Sequence, residues 1–297
     1  ETQFDLSKMI QFCYDNDITD DAEICYSYAQ LADEDSNARA FLNSNCQYKY
    51  TADCGKMVRM YKRAENRNTS ISKWVHKQIS QQEIYDNDEG WKQIVRFLRH
   101  QRVEIIPFLN TFKKFMHHTP KHSCIVVYGP SNTGKSLFVL SLCHFLRGKV
   151  VSFMNSSSPF WLSPLTDAKI GVLDDVTKKA WYFLDTYMRN GFDGNEVSID
   201  IKHKNPMQLK LPPMLLTTNY DIRDQDDFKF LRTRLTIIPF NQTFDTNGNG
   251  KISYLLNDNT WASFFKRFFK TLEFSDQEDE GDDGPQRTLR LSARKNT

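Results

Sequence analysis

Through the first 78 residues, apolar side chains recur three and four apart, as one face of a helix requires. Met9, Ile10, Cys13 and Tyr14 form one such set. Ile24, Cys25, Tyr28, Ala29 and Leu31 form a second, and Cys54, Met57, Val58 and Tyr61 a third. Asp35-Ser36-Asn37, ahead of the apolar stretch 38–42, has the form of a helix start. Gly and Pro are nearly absent here, so 1–78 is expected to be all-helical. The pattern then breaks into a polar stretch, which predicts a linker at 79–90. Trp91, Ile94, Val95 and Leu98 open an amphipathic helix, and 105–116 predicts another, with Pro107 in its first turn, where its missing N–H costs nothing. Beyond Ser123, short apolar runs alternate with helical periodicity. Strands are expected at 124–128, 150–154, 170–173, 214–218 and 235–240. That alternation predicts an α/β domain over 91–274, with a central, mainly parallel sheet covered by helices. Trp261, Phe264, Phe265, Phe268, Phe269 and Leu272 line one face of a last helix, which is read as core. The acidic run after it and the Arg-rich end predict a disordered tail at 275–297.

Composition changes this picture little. The 297 residues suit one large domain or two smaller ones, and 39% hydrophobic content with 22 Phe fills a real core. The net charge of +2 conceals an asymmetry. Six acidic residues lie in 276–283, leaving 31 acidic against 39 basic residues, or +8, on the rest of the chain. Such a body permits nucleic-acid binding without requiring it. Six Cys are scattered with no C-x-x-C pair, which fits free thiols in a reducing compartment. His118-x-x-x-His122 lacks partners at zinc-ligand spacing. The segment 245–252 copies the first half of a calcium-binding loop, but Leu256 stands where the bidentate Glu belongs, so a hairpin loop is expected. No apolar run has the length of a membrane span, and no signal peptide is expected. The chain begins with Glu and is expected to be part of something longer.

The chemistry concentrates in Gly129, Pro130, Ser131, Asn132, Thr133, Gly134, Lys135 and Ser136, which fit G-x-x-x-x-G-K-[ST]. The flanks fit too: an apolar strand before and an apolar helix after. Glycines let backbone N–H groups close around phosphate oxygens, and the helix N-terminus adds partial positive charge. Lys135 would reach the β- and γ-phosphates of ATP, and the Ser136 hydroxyl would ligate Mg²⁺. Downstream, 170–173 is an apolar strand ending in Asp174 and Asp175. Beside a phosphate loop, Asp174 would hold Mg²⁺ and Asp175 would polarise the attacking water. A third strand, 214–218, ends in Asn219, which either orients water or touches the γ-phosphate. Arg232 and Arg234 precede the last strand, and either would serve as an arginine finger on the transferred phosphoryl group. Two alternating runs, 197–201 and 207–211, flank Lys202, His203 and Lys204 and predict a β-hairpin with a basic tip suited to phosphate-backbone contact. Phe160, in a Ser-rich loop, is a second nucleic-acid candidate, since an aromatic ring stacks on sugar or base.

Together these features resemble the superfamily 3 helicases, and among them the replication-initiator helicases of papillomaviruses. Asp35-Ser36-Asn37-Ala38-Arg39-Ala40-Phe41-Leu42, Tyr187-Met188-Arg189-Asn190 and Ser198-Ile199-Asp200-Ile201-Lys202-His203-Lys204 carry the closer resemblance. It implies a helical oligomerisation collar followed by an AAA+ P-loop ATPase domain, in a hexameric ring around one DNA strand that unwinds 3′ to 5′. It further implies that Lys135, Ser136, Asp174, Asp175 and Asn219 act within one subunit. Lys121, Arg189 and Arg234 would reach the γ-phosphate from the next, which favours Arg234 over Arg232. Lys202, His203 and Phe160 would grip DNA in the channel. Phe230 stands where related sequences can carry Tyr, and without the hydroxyl a contact to nucleotide in trans is lost. Location in the host nucleus is implied, as are partners: a viral origin-binding regulator, host DNA polymerase alpha-primase and single-strand-binding protein, and no membrane. Two other classes fit the phosphate loop, a non-helicase P-loop ATPase (switch or packaging motor) and a nucleotide-binding assembly module without turnover. Neither explains the basic hairpin as well.

Overall fold

The structure is a computed structural model that describes residues 3–83, 88–202, 205–244, 246–247, 251–252 and 254–274. The tail at 275–297 and most of the stretch 245–253 therefore fall outside the described residues. The described residues form two compact units, 3–69 and 70–274.

The first unit is helical throughout: α1 (Leu6–Asp15), α2 (Asp21–Gln30), α3 (Ser36–Leu42) and α4 (Gln47–Asn68). Asp5, Asp20 and Asp35 each accept backbone N–H groups at the start of the helix they precede, satisfying donors a helix leaves orphaned. The three apolar sets legible in the sequence meet in one core of Met9, Cys13, Ile24, Tyr28, Phe41, Cys54 and Val58. Asn37 is buried among them with its amide satisfied. Its Oδ1 accepts from Asp5 N at 2.7 Å, and its Nδ2 donates to Asp5 O at 2.9 Å and to the Tyr28 hydroxyl at 2.7 Å.

The second unit begins with α5 (Ile71–Ser80), α6 (Trp91–His100) and α7 (Ile105–Met116), followed by β1 (Cys124–Tyr128), α8 (Lys135–Phe145), β2 (Lys149–Val151) and β3 (Gly171–Leu173). Then come α9 (Lys178–Tyr187), α10 (Arg189–Phe192), β4 (Glu196–Ile199), β5 (Met207–Lys210), β6 (Met214–Thr218), α11 (Lys229–Arg232) and β7 (Thr236–Pro239). The two-residue strands β8 (Thr246–Asn247) and β9 (Lys251–Ile252) and helix α12 (Asp258–Phe268) close it. The sequence pattern groups most of α5 with the helices before it. In the structure α5 lies in the second unit, where Trp74 is buried and its indole N–H donates to Leu146 O at 2.8 Å.

Five parallel strands form the sheet in the order β2–β3–β6–β1–β7. Successive strand residues face opposite sides, so each strand feeds two cores. Ile125, Val127, Val172, Leu215 and Ile238 meet α6, α7, α8 and α12 on one face. Cys124, Val126, Leu173, Met214 and Leu216 meet Trp181 and Leu184 of α9 on the other. A strand buried on both faces is apolar at nearly every position, which is why 124–127 and 214–216 read as unbroken runs. The expected strand 150–154 is cut short. Ser152 turns its hydroxyl to Met154 N, and a 3₁₀ turn, Phe153–Asn155, replaces the rest. Among the described residues no helix is long and apolar enough to cross a membrane.

Candidate functional site

The loop 129–134 joins the C-terminal end of β1 to α8, and its glycines answer to specific neighbours. A Cβ on Gly129 would lie 1.8 Å from Phe240 O, and one on Gly134 would lie 2.0 Å from the Phe244 ring. Gly134 also has φ +77°, a conformation that costs glycine little. Lys135 is a buried residue, and its ammonium donates to Pro130 O at 2.6 Å. Thr133 Oγ1 donates to the same carbonyl at 3.0 Å. Burial holds the Lys135 pKa below the ordinary lysine value of 10.5, and the nearby Asp175 and Asp174 pull the other way. No carboxylate pairs directly with this ammonium among the described residues, so its charge stays available for phosphate.

The acidic pair follows β3, and the register Leu173↔Leu216 and Tyr128↔Thr218 brings it to the same sheet edge as the loop. Asp174 Oδ1 accepts from Ser136 Oγ at 2.9 Å and from Thr217 Oγ1 at 2.5 Å. A hydroxyl and a carboxylate in contact are hard oxygen donors that suit Mg²⁺, which takes few protein ligands and keeps waters and phosphates for the rest. Asp175 is exposed and has φ +53°. Its N–H donates to Thr217 Oγ1 at 2.8 Å, and Val176 N donates to Thr217 O at 2.7 Å. Asn219, exposed, is the first residue beyond β6. Loop, acidic pair and amide thus share the C-terminal edge of three adjacent strands, where open α/β sheets bind ligands.

Two residues at this edge escaped sequence reasoning. Thr217 is one, and its only signal was a hydroxyl at the end of an apolar strand. Gln101 is the other. It is buried, its Nε2 donates to Thr133 O at 3.1 Å and Gln242 O at 2.7 Å, and its Oε1 accepts from Gln242 N at 3.0 Å. Phe244 N adds a bond to Asn132 O at 3.1 Å. The segment 240–244 is thereby strapped across the back of the loop.

Lys121, Arg189 and Arg234 lie at the opposite edge. Thr236 pairs with Ile125, so Arg234, two residues earlier, stands ahead of β1. Lys121 lies three residues before the start of β1. Ser123 Oγ donates to Phe192 O at 3.3 Å, which brings α10 and Arg189 to this end. Arg234 Nε donates to Asp193 Oδ2 at 2.8 Å and its Nη1 to Phe230 O at 2.5 Å. The Arg189 guanidinium lies 6.0 Å from the Phe230 ring. These basic residues are brought near one another and away from the loop of their own chain. Arg232 makes no side-chain contact of this kind among the described residues.

The antiparallel pair β4–β5 confirms the hairpin, in register from Glu196↔Lys210 to Ile199↔Met207. Lys202 is exposed at its tip, while His203 and Lys204 lie outside the described residues. Phe160 is half-buried, and the neighbouring Trp161 packs edge-on against Phe153 and Phe183 at 6.4 and 5.8 Å, anchoring the loop.

The sequence matches the papillomavirus helicase family over residues 1–291. It is 50% identical over 297 residues to replication protein E1 of canine oral papillomavirus (strain Y62), covering all of this chain and 49% of that protein. It is 51% identical to the protein of the same name from human papillomavirus type 1, covering 99% of this chain and 48% of that protein. For cottontail rabbit papillomavirus (strain Kansas) the identity is 52%, with 98% and 48% covered. The chain spans about half the length of these curated relatives. Among solved structures, the X-ray structure of JCV helicase superposes with a TM-score of 0.65 over 81% of this chain and 78% of that one. At 16% identity that likeness concerns the fold.

Proposed function

The chain belongs to the papillomavirus helicase family, and from that premise we propose that it is the ATP-driven, DNA-unwinding part of a viral replication protein. The observation that carries the mechanism is the division of the site between two sheet edges. Loop, acidic pair and Asn219 lie at one edge and Lys121, Arg189 and Arg234 at the other. A full set forms only where one copy's basic edge meets another copy's loop, a head-to-tail contact that closes into a ring. The copies assemble as a hexamer, with the helices of the first unit, α1 to α4, as collar.

Within a seam, backbone N–H groups of 129–134 would cradle the phosphates and Lys135 would neutralise the β- and γ-oxygens. Ser136 and Asp174 would hold Mg²⁺, which supplies charge neutralisation and orientation of the triphosphate when bound. Asp175 and Asn219 orient a water toward the γ-phosphorus. The bond to the β–γ bridging oxygen breaks as the new P–O bond forms, leaving ADP and phosphate. Arg234, with Lys121 and Arg189, stabilises the equatorial charge from the neighbouring copy. Lys202, with His203 and Lys204, contacts the backbone of single-stranded DNA in the channel, and Phe160 contributes a ring beside them. Each hydrolysis shifts the hairpin along the axis and moves DNA 3′ to 5′. The setting is the host nucleus, with loading by a viral origin-binding regulator and recruitment of host polymerase alpha-primase and single-strand-binding protein.

A strand-displacement assay on a duplex with a 3′ single-stranded tail tests this. The wild-type chain is expected to displace the strand with ATP and Mg²⁺. Lys135→Ala abolishes both hydrolysis and displacement, and Lys202→Ala retains nucleotide binding but not displacement. Displacement at wild-type rate by Lys202→Ala would remove the hairpin from the mechanism. Displacement by Lys135→Ala would remove the loop.

A further inference from the structure

We infer that Thr217, on the strand beside the phosphate loop, is the positioning residue that presents Asp174 to the divalent cation and holds the Asp174–Asp175 turn; the inference rests on the nucleotide site proposed above. Thr217 is 1% exposed in a strand whose preceding residues, Met214, Leu215 and Leu216, are all apolar. Valine would fill the same space without a hydroxyl to satisfy, so packing alone gives no reason for threonine. The hydroxyl has one proton, and the geometry assigns it. Asp175 N–H can only donate and occupies a lone pair of Thr217 Oγ1 at 2.8 Å. The proton therefore goes to Asp174 Oδ1, 2.5 Å away.

Two consequences follow. The first concerns the carboxylate. Ser136 also donates to Asp174 Oδ1, but Ser136 Oγ is itself a cation ligand in the proposed site. Thr217 is the donor with no second duty, so it orients Asp174 whether or not Ser136 is engaged. The second concerns the backbone. Asp175 is a non-glycine residue at φ +53°, a left-handed conformation disfavoured for L side chains that its surroundings must impose. Thr217 holds this turn on both sides, through its hydroxyl to Asp175 N and its carbonyl to Val176 N at 2.7 Å. Strand β6, which Asn219 directly follows, is thus tied to both acidic residues through one side chain. Residues that orient a metal ligand commonly alter metal affinity roughly 10- to 100-fold when removed.

The experiment uses the full chain with Thr217→Val and Thr217→Ser, a fluorescent ADP analogue and Mg²⁺. Thr217→Val is expected to bind the analogue in EDTA as the wild type does, because the loop and Lys135 are intact. The Mg²⁺ concentration that half-saturates the Mg²⁺-dependent gain in affinity should rise roughly 10- to 100-fold, and Thr217→Ser should return it toward the wild type. Should the valine chain not fold, Thr217→Ala set against Thr217→Ser gives the same contrast. Wild-type Mg²⁺ dependence in Thr217→Val overturns the inference. So does a serine variant as impaired as valine, which would make the methyl group the important part. A wild-type chain that binds the analogue indifferently to Mg²⁺ would instead bring down the site reading itself, and this inference with it.

Discussion

If a seam between copies holds the complete site, two dead variants should repair each other in a calculable proportion. Arg234 stands ahead of β1, and that strand runs five residues before the loop begins, about 17 Å at ~3.3 Å per residue. Its guanidinium is also turned to its own Asp193 and Phe230. It cannot reach the phosphates held by its own loop. Arg234→Gln is the suitable perturbation because an amide N–H can still face Asp193, whose carboxylate is only 12% exposed. An arginine finger is worth roughly 10³- to 10⁵-fold in turnover, so pure Arg234→Gln and pure Lys135→Ala should both be nearly inactive. In an equal mixture, a seam works when its loop comes from an Arg234→Gln chain and its finger from a Lys135→Ala chain. Each has even odds, so in a head-to-tail ring about a quarter of the seams, and of wild-type phosphate release, should return. Phosphate release measured across mixing ratios should peak at equal proportions. Absence of rescue at every ratio, or near wild-type turnover from Arg234→Gln alone, would refute a site shared between copies.

Nucleotide binding should take up protons in alkaline solution. The Lys135 ammonium is destabilised by burial, so between its lowered pKa and 10.5 the free folded chain carries fewer protons there than an ordinary lysine would. Phosphate restores the charged form. Affinity should fall as pH rises through that window, and calorimetry in two buffers of different ionisation enthalpy should register uptake; equal heats would count against it. Gly129→Ala should lose nucleotide binding and stability together, because the new Cβ meets the Phe240 carbonyl at 1.8 Å and overpacking of this kind costs about 1–3 kcal/mol or more. Thermal unfolding and analogue binding at wild-type values would show that the strap at 240–244 yields freely.

Local pattern determined a good part of this protein. The bounds of 124–128 and 214–218 follow from apolar runs between turn signals and recur unchanged in β1 and β6. The phosphate loop is legible because its residue types and their spacing lie within eight residues, while the neighbours that crowd Gly129 and Gly134, Phe240 and Phe244, are more than a hundred residues away. The acidic pair and Asn219 are legible because each ends an apolar strand. Strand order decided the remainder. Gln101 meets its partners 32 and 141 residues away, and Thr217 meets Asp174 at a separation of 43. No periodicity records such distances. Placing β6 between β3 and β1 put the threonine hydroxyl under the carboxylate, and parallel pairing of β7 with β1 sent Arg234 to the edge opposite the loop. Spacing along a chain conveys which residues share a helix face or a turn; which end of the sheet a side chain occupies depends on the direction and neighbours of its strand, and only the assembled core sets those.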